Sequence, residues 1–181
     1  MSVSLRISGL LIAALVSLAP LGAAQSLQRL SLQASGAALF PTNEDPIFES
    51  KTRLGFEGQV RYTFGRFSLG AGYQRSTVFA FTNSSLTMAL SLGFIEPRYV
   101  VAAGRGVAFY LAGRVGAGKL VCSRSGECNA GGTNATYGGG GGLLFRLSQR
   151  FSADLGGQYF QVSGDLSSGY AMARVGLGVG L

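Results

Sequence analysis

The 181-residue chain has no histidine and no tryptophan, two cysteines, four prolines, and only 13% charged residues. Each scarcity excludes something. Without histidine there is no Ser-His, Asp-His or His-metal chemistry, because the usual proton shuttle and the commonest nitrogen ligand are both missing. Two thiols alone cannot complete a tetrahedral metal set, and no cofactor is implied. The fifteen basic side chains stand singly rather than in clusters, which argues against nucleic acid as a partner. Beyond the first two dozen residues no apolar run is long enough to cross a bilayer as a helix. Glycine, in contrast, is abundant at 29 residues, and the mean hydropathy is +0.31. Apolar strands whose greasy residues alternate account for that combination, since a membrane barrel never presents its apolar face as a continuous run.

The N-terminus reads as an export signal. Arg6 precedes the apolar run Ile7 to Ala19, Pro20 breaks it, and Gly22-Ala23-Ala24 offers small residues for cleavage before Gln25. A membrane anchor is the alternative, but the run is short and no basic stop-transfer flank follows. The expected division is a signal peptide over 1–24 and one domain over 25–181, the latter with fourteen basic and eight acidic side chains and a net charge of +6. Anionic lipid head groups are the natural counterpart of that charge. Cys122 and Cys128 enclose SRSGE, and in an exported chain they are expected to pair as a disulfide pinning a loop.

The strongest pattern is LGFEGQVRYTFGRFSLGAGY, Leu54 to Tyr73. Leu54, Phe56, Gly58, Val60, Tyr62 and Phe64 alternate with Glu57, Gln59, Arg61 and Thr63, a period of two that puts them on opposite faces of a strand. Gly65-Arg66 turns the chain, and Phe67, Leu69, Ala71 and Tyr73 continue the apolar series. Six more strands follow the same rule: 30–40, 86–101, 107–117, 137–147, 151–159 and 171–181. In the first of these beyond the hairpin, Leu86, Met88, Leu90, Leu92 and Phe94 form one apolar face. Tyr99 and Val101 have the other parity, so a β-bulge is expected at Pro97. The connections alternate long and short along the chain, which places all the short turns at one end.

Alternation does not say which face looks inward. The polar face consists mostly of Gly, Ser, Ala and Thr with single charges, a poor soluble surface but a compact lumen. Aromatics sit at strand ends (Phe40, Phe64, Phe67, Phe151, Tyr159, Tyr170), as membrane girdles do. Leu144 and Phe160 fall on the polar parity. GFIEPRYVV (Gly93 to Val101), YLAGRVGAG (Tyr110 to Gly118) and the ending ARVGLGVGL carry a resemblance to the small eight-stranded outer-membrane β-barrel family, the OmpA/OmpX type, over the whole domain. The resemblance implies an all-β, eight-stranded antiparallel up-and-down transmembrane barrel, exported to a bacterial outer membrane. Its implied partners are outer-membrane lipid, the barrel-assembly machinery and, through the loops 41–53 and 121–136, an extracellular ligand or surface partner, with the barrel as a monomer.

With the polar face inside, Glu57, Glu96 and Asp154 share the lumen with Arg61, Arg98, Arg114 and Arg174. Charges removed from water must be paired, and Arg forks suit carboxylates, so a salt-bridged plug is expected. An eight-stranded barrel is only wide enough for side chains to fill, and glycines of the third, sixth and eighth strands should make room for the arginines. The expected function is non-enzymatic, in envelope structure or surface interaction; a soluble barrel holding an apolar ligand and a narrow channel are the alternatives. Gly113 to Lys119, GRVGAGK, nearly spells a phosphate loop, but Leu120 replaces the required Ser or Thr.

Overall fold

A computed structural model describes residues 29–42, 53–80, 87–122, 132–163 and 168–181. The expected signal peptide lies outside them, as do Cys128 and the side chain of Cys122. Eight strands form the described chain: β1 (Leu30–Pro41), β2 (Arg53–Phe64), β3 (Phe67–Ala80), β4 (Thr87–Ala103), β5 (Val107–Cys122), β6 (Asn134–Arg146), β7 (Phe151–Val162) and β8 (Ser168–Gly180). Each pairs antiparallel with its sequence neighbours. β8 pairs with β1, from Ser31 opposite Gly180 to Pro41 opposite Tyr170, and the sheet closes into a barrel. Closure leaves no unpaired edge.

The connections 65–66, 104–106 and 147–150 lie at one end, here the turn end, with the start of β1 and the end of β8. The ends of β1, β3, β5 and β7 and the starts of β2, β4, β6 and β8 lie at the other, here the loop end. At the turn between β2 and β3, Gly65 has φ 62°, a left-handed conformation a side chain resists. A glycine in the first central position is the II′ arrangement, whose twist matches a two-residue hairpin.

The period of two is obeyed in space. In β2 the burial alternates so that Glu57, Gln59 and Arg61 point inward while Phe56, Val60, Tyr62 and Phe64 are exposed. Residues exposed on other strands include Leu69, Leu111, Val115, Leu155, Val175 and Leu177. Exposed aromatics collect toward both ends: Tyr62, Phe64, Phe67, Tyr99 and Phe151 at the turn end, Phe40, Tyr73, Tyr137 and Tyr159 toward the loops. Phe64 and Phe67 bracket their turn with ring centroids 5.0 Å apart.

β4 differs from expectation. Its register with β5 is the same on both sides of Pro97, from Ile95 opposite Val115 to Arg98 opposite Ala112, and shifts only between Val100 and Ala102. Pro97 lacks an N–H and interrupts the ladder without adding a residue. Leu90, Leu92 and Phe94 therefore keep the parity of Glu96 and Arg98 and face inward, with Ile95 and Tyr99 outside. They join Ala37, Leu39, Phe160, Val162, Tyr170 and Met172 in an apolar cluster filling the loop half of the interior. Phe160 stacks on Tyr170 at 5.6 Å, so Tyr170 is an interior residue rather than a girdle one, and the inward parity of Phe160 is explained. A strand can carry apolar residues on its inner face wherever the lumen needs filling, and periodicity cannot tell that face from a lipid-facing one.

Candidate functional site: the charged interior

Below the apolar cluster, the middle of the barrel is occupied by charge. The structure brings together all seven residues singled out above: Glu57 and Arg61 from β2, Glu96 and Arg98 from β4, Arg114 from β5, Asp154 from β7 and Arg174 from β8, none more than 4% exposed. Each sits on the inward parity of its strand, and small residues on facing strands admit the long side chains. A Cβ on Gly70 of β3 would lie 2.6 Å from Arg61 Nη2, and one on Gly156 of β7 would lie 3.2 Å from Arg174 Nε. The inward glycines of β6 and β8 make room for other groups; a Cβ on Gly142 would lie 2.6 Å from the Tyr110 hydroxyl.

Glu96 is the hub. Its Oε1 accepts from Arg98 Nε at 2.7 Å, Arg61 Nη2 at 2.8 Å and Arg174 Nη2 at 3.0 Å. Its Oε2 accepts from Gln158 Nε2 at 2.7 Å, Arg174 Nη1 at 2.8 Å and Arg114 Nη2 at 3.0 Å. Six donors converge on a group with about four lone-pair sites, so its accepting capacity is saturated. Glu57 accepts from Arg114 Nη2 at 2.5 Å and from Arg174 Nη1 at 3.0 Å. Asp154 accepts from Arg98 Nη1 at 2.5 Å and the Tyr110 hydroxyl at 2.8 Å.

Neutral partners complete the network. Gln59 Oε1 accepts from Arg61 at 2.8 Å, Gln74 Oε1 accepts from Arg114 at 2.7 Å, and Ser68 Oγ accepts from Arg61 at 3.0 Å. Arg98 lies over the Tyr110 ring at 4.4 Å, and Arg114 over the Phe94 ring at 3.8 Å, which joins the charged layer to the apolar one. Tyr110, Gln59, Gln74 and Gln158 were not singled out from the sequence. The available signal was parity: Gln59, Tyr110 and Gln158 share the inward face of their strands with charged residues, and Gln74 shares that of β3 with Ser68 and Ser76.

The arrangement is the inverse of a water-soluble protein, with apolar side chains outside and ion pairs inside. An exterior apolar along the middle of the strands, with Arg75, Lys119 and Gln161 toward the loop end, is a surface for lipid. The interior is filled rather than open, and each of its three carboxylates is held by arginine, which leaves none as a free acid or base. GRVGAGK lies within β5, and residues 120–122 directly after it are strand as well, so at Lys119 there is neither the loop nor the helix N-terminus that phosphate binding requires. Among the described residues no group of His, Cys, Asp and Glu could hold a metal ion.

Three solved structures have the same architecture. The crystal structure of Neisserial surface protein A superposes with a TM-score of 0.68 at 15% identity, covering 87% of this chain and 100% of that one. Ail, the attachment invasion locus protein of Yersinia pestis, gives 0.54 at 16% identity over 83% and 95%. The N-terminal β-barrel domain of Pseudomonas aeruginosa OprF gives 0.51 at 11% identity over 84% and 98%. The chain has the fold of the small eight-stranded outer-membrane barrels. No protein-family model matches it, and no curated protein matches its sequence. At these identities the likeness is one of fold, and the residues inside this barrel are its own.

Proposed function

We propose that the protein is a non-enzymatic barrel of a bacterial outer membrane, with a closed, side-chain-filled lumen, which stabilises the envelope or contacts surface partners through the connections at its loop end. The observation that carries this reading is the inversion of polarity: exposed Leu, Val, Phe and Tyr on the outside of the strands against seven buried charges within. Lipid is the solvent that makes such an exterior favourable, and the strand lengths suit a tilted crossing. Connections short at one end and long at the other fit periplasmic turns and extracellular loops. A soluble barrel binding an apolar ligand would need the reverse distribution. Ail, of similar fold, has been crystallised in complex with the heparin analogue sucrose octasulfate, an instance of such a barrel meeting a polyanion. Lipid and the assembly machinery are the partners this reading entails, with the barrel as a monomer.

Fractionation together with gel migration of unboiled and boiled samples tests it. The expected result is recovery in the outer-membrane fraction and a compact form that migrates faster until heated. Recovery in the soluble fraction without a heat-modifiable form would sink the reading.

A further inference from the structure

The charged interior does not balance. Among the described residues Arg61, Arg98, Arg114 and Arg174 face Glu57, Glu96 and Asp154, so the four cations share three carboxylates. Among the described residues, each of the four arginines also keeps one buried nitrogen without a hydrogen-bond partner. A buried cation with orphan donors is costly unless something accepts from it. Two of the four, Arg61 and Arg98, line a cavity of about 50 Å³ at the turn end. Arg66 and Arg150, both exposed, line it as well, and the hydroxyl-bearing Ser68 and Ser152 add donors. No carboxylate lines this cavity. About 10–15 Å³ of such space holds one water, so the cavity has room for a few waters or one small ion.

We infer that the turn-end cavity is a binding site for a single small inorganic anion, chloride or phosphate, held by Arg61 and Arg98 on the interior side and by Arg66 and Arg150 at the mouth. The anion completes the charge balance of the interior. The site opens only toward the turn end, because the saturated hub at Glu96 and the apolar cluster close the barrel beyond it. It is thus an anion-stabilised plug and not a conduction path.

The test is thermal melting of the detergent-folded barrel at matched ionic strength in sodium chloride, sodium phosphate and sodium gluconate, gluconate serving as the bulky reference anion. The inference expects melting to rise saturably with chloride or phosphate over gluconate, and whichever of the two acts at lower concentration is the preferred ligand. In the double variant R66Q/R150Q, which leaves the buried network intact, the midpoint concentration should rise at least tenfold. Gln33 also lines the cavity, and Q33E, which supplies a carboxylate there, should abolish the dependence on anion while keeping the heat-modifiable form. Melting indifferent to anion identity in the wild type would overturn the inference. So would an unshifted midpoint in R66Q/R150Q or a Q33E barrel that responds to anion as the wild type does.

Discussion

Glu96 is touched by four guanidinium groups, whereas Glu57 is touched by two, and that difference sets the order of their importance. Removing one partner of a buried ion pair leaves the other charge stranded, at a cost of about 3–5 kcal/mol. E96Q takes a carboxylate from four arginines at once and leaves Arg61 with none, and it is expected to destabilise the detergent-folded barrel by at least that much. E57Q should cost less, because Arg114 and Arg174 still reach Glu96. Melting or urea unfolding of the two variants checks the ranking; equal losses would mean that the arginines do not share Glu96. The seven charged residues were legible as a group because a lone charge within an apolar strand has one favourable direction once the barrel reading is adopted. Their convergence on Glu96 was not legible, since it depends on how far neighbouring strands are staggered, and no local pattern encodes stagger.

Within a single strand, β4 shows where alternation stops being informative. Leu90, Leu92 and Phe94 have the spacing of a lipid-facing stripe, yet they line the interior with Leu39, Phe160 and Met172. Truncating a buried leucine costs about 2–5 kcal/mol, so L92A is expected to lower stability by that amount, whereas the same change on a lipid-facing position would remove little packing. Chemical unfolding of L92A beside L177A, on the exposed face of β8, separates the two: comparable small losses would return Leu92 to the outside. The outward face carries its own expectation. V175R, near the middle of β8, should cost about 2–4 kcal/mol in folding into lipid bilayers, as arginine does near the bilayer midplane, and a neutral effect would contradict a lipid-facing wall. Strand identity, strand order and the ends of the hairpins were readable from the turn residues and the period of two. The parity of β4 and the inward position of Tyr170 were not, because both follow from the need to fill the loop half of a closed cylinder, a requirement of volume rather than of sequence neighbours.

As a whole, the barrel is closed along its axis by a saturated ion-pair layer beneath an apolar one. Single-channel recording in planar bilayers is therefore expected to show no resolved ion conductance for the wild type; steady, substantial conductance would contradict a filled lumen. The pairing of β8 with β1 carries a further consequence for how the molecule comes into being. Arg174 reaches Glu57 across 117 positions of chain, and Glu96 across 78. Contacts of such sequence separation make folding slow, because the entropy of closing long loops is spent before they form. β8 brings a second guanidinium bridge between Glu57 and Glu96, beside that of Arg114, so seam and interior are completed in the same event. Without β8 the chain has neither a closed wall nor the Arg174 contacts to Glu57 and Glu96, so the pairing of β8 with β1 is the step that completes both.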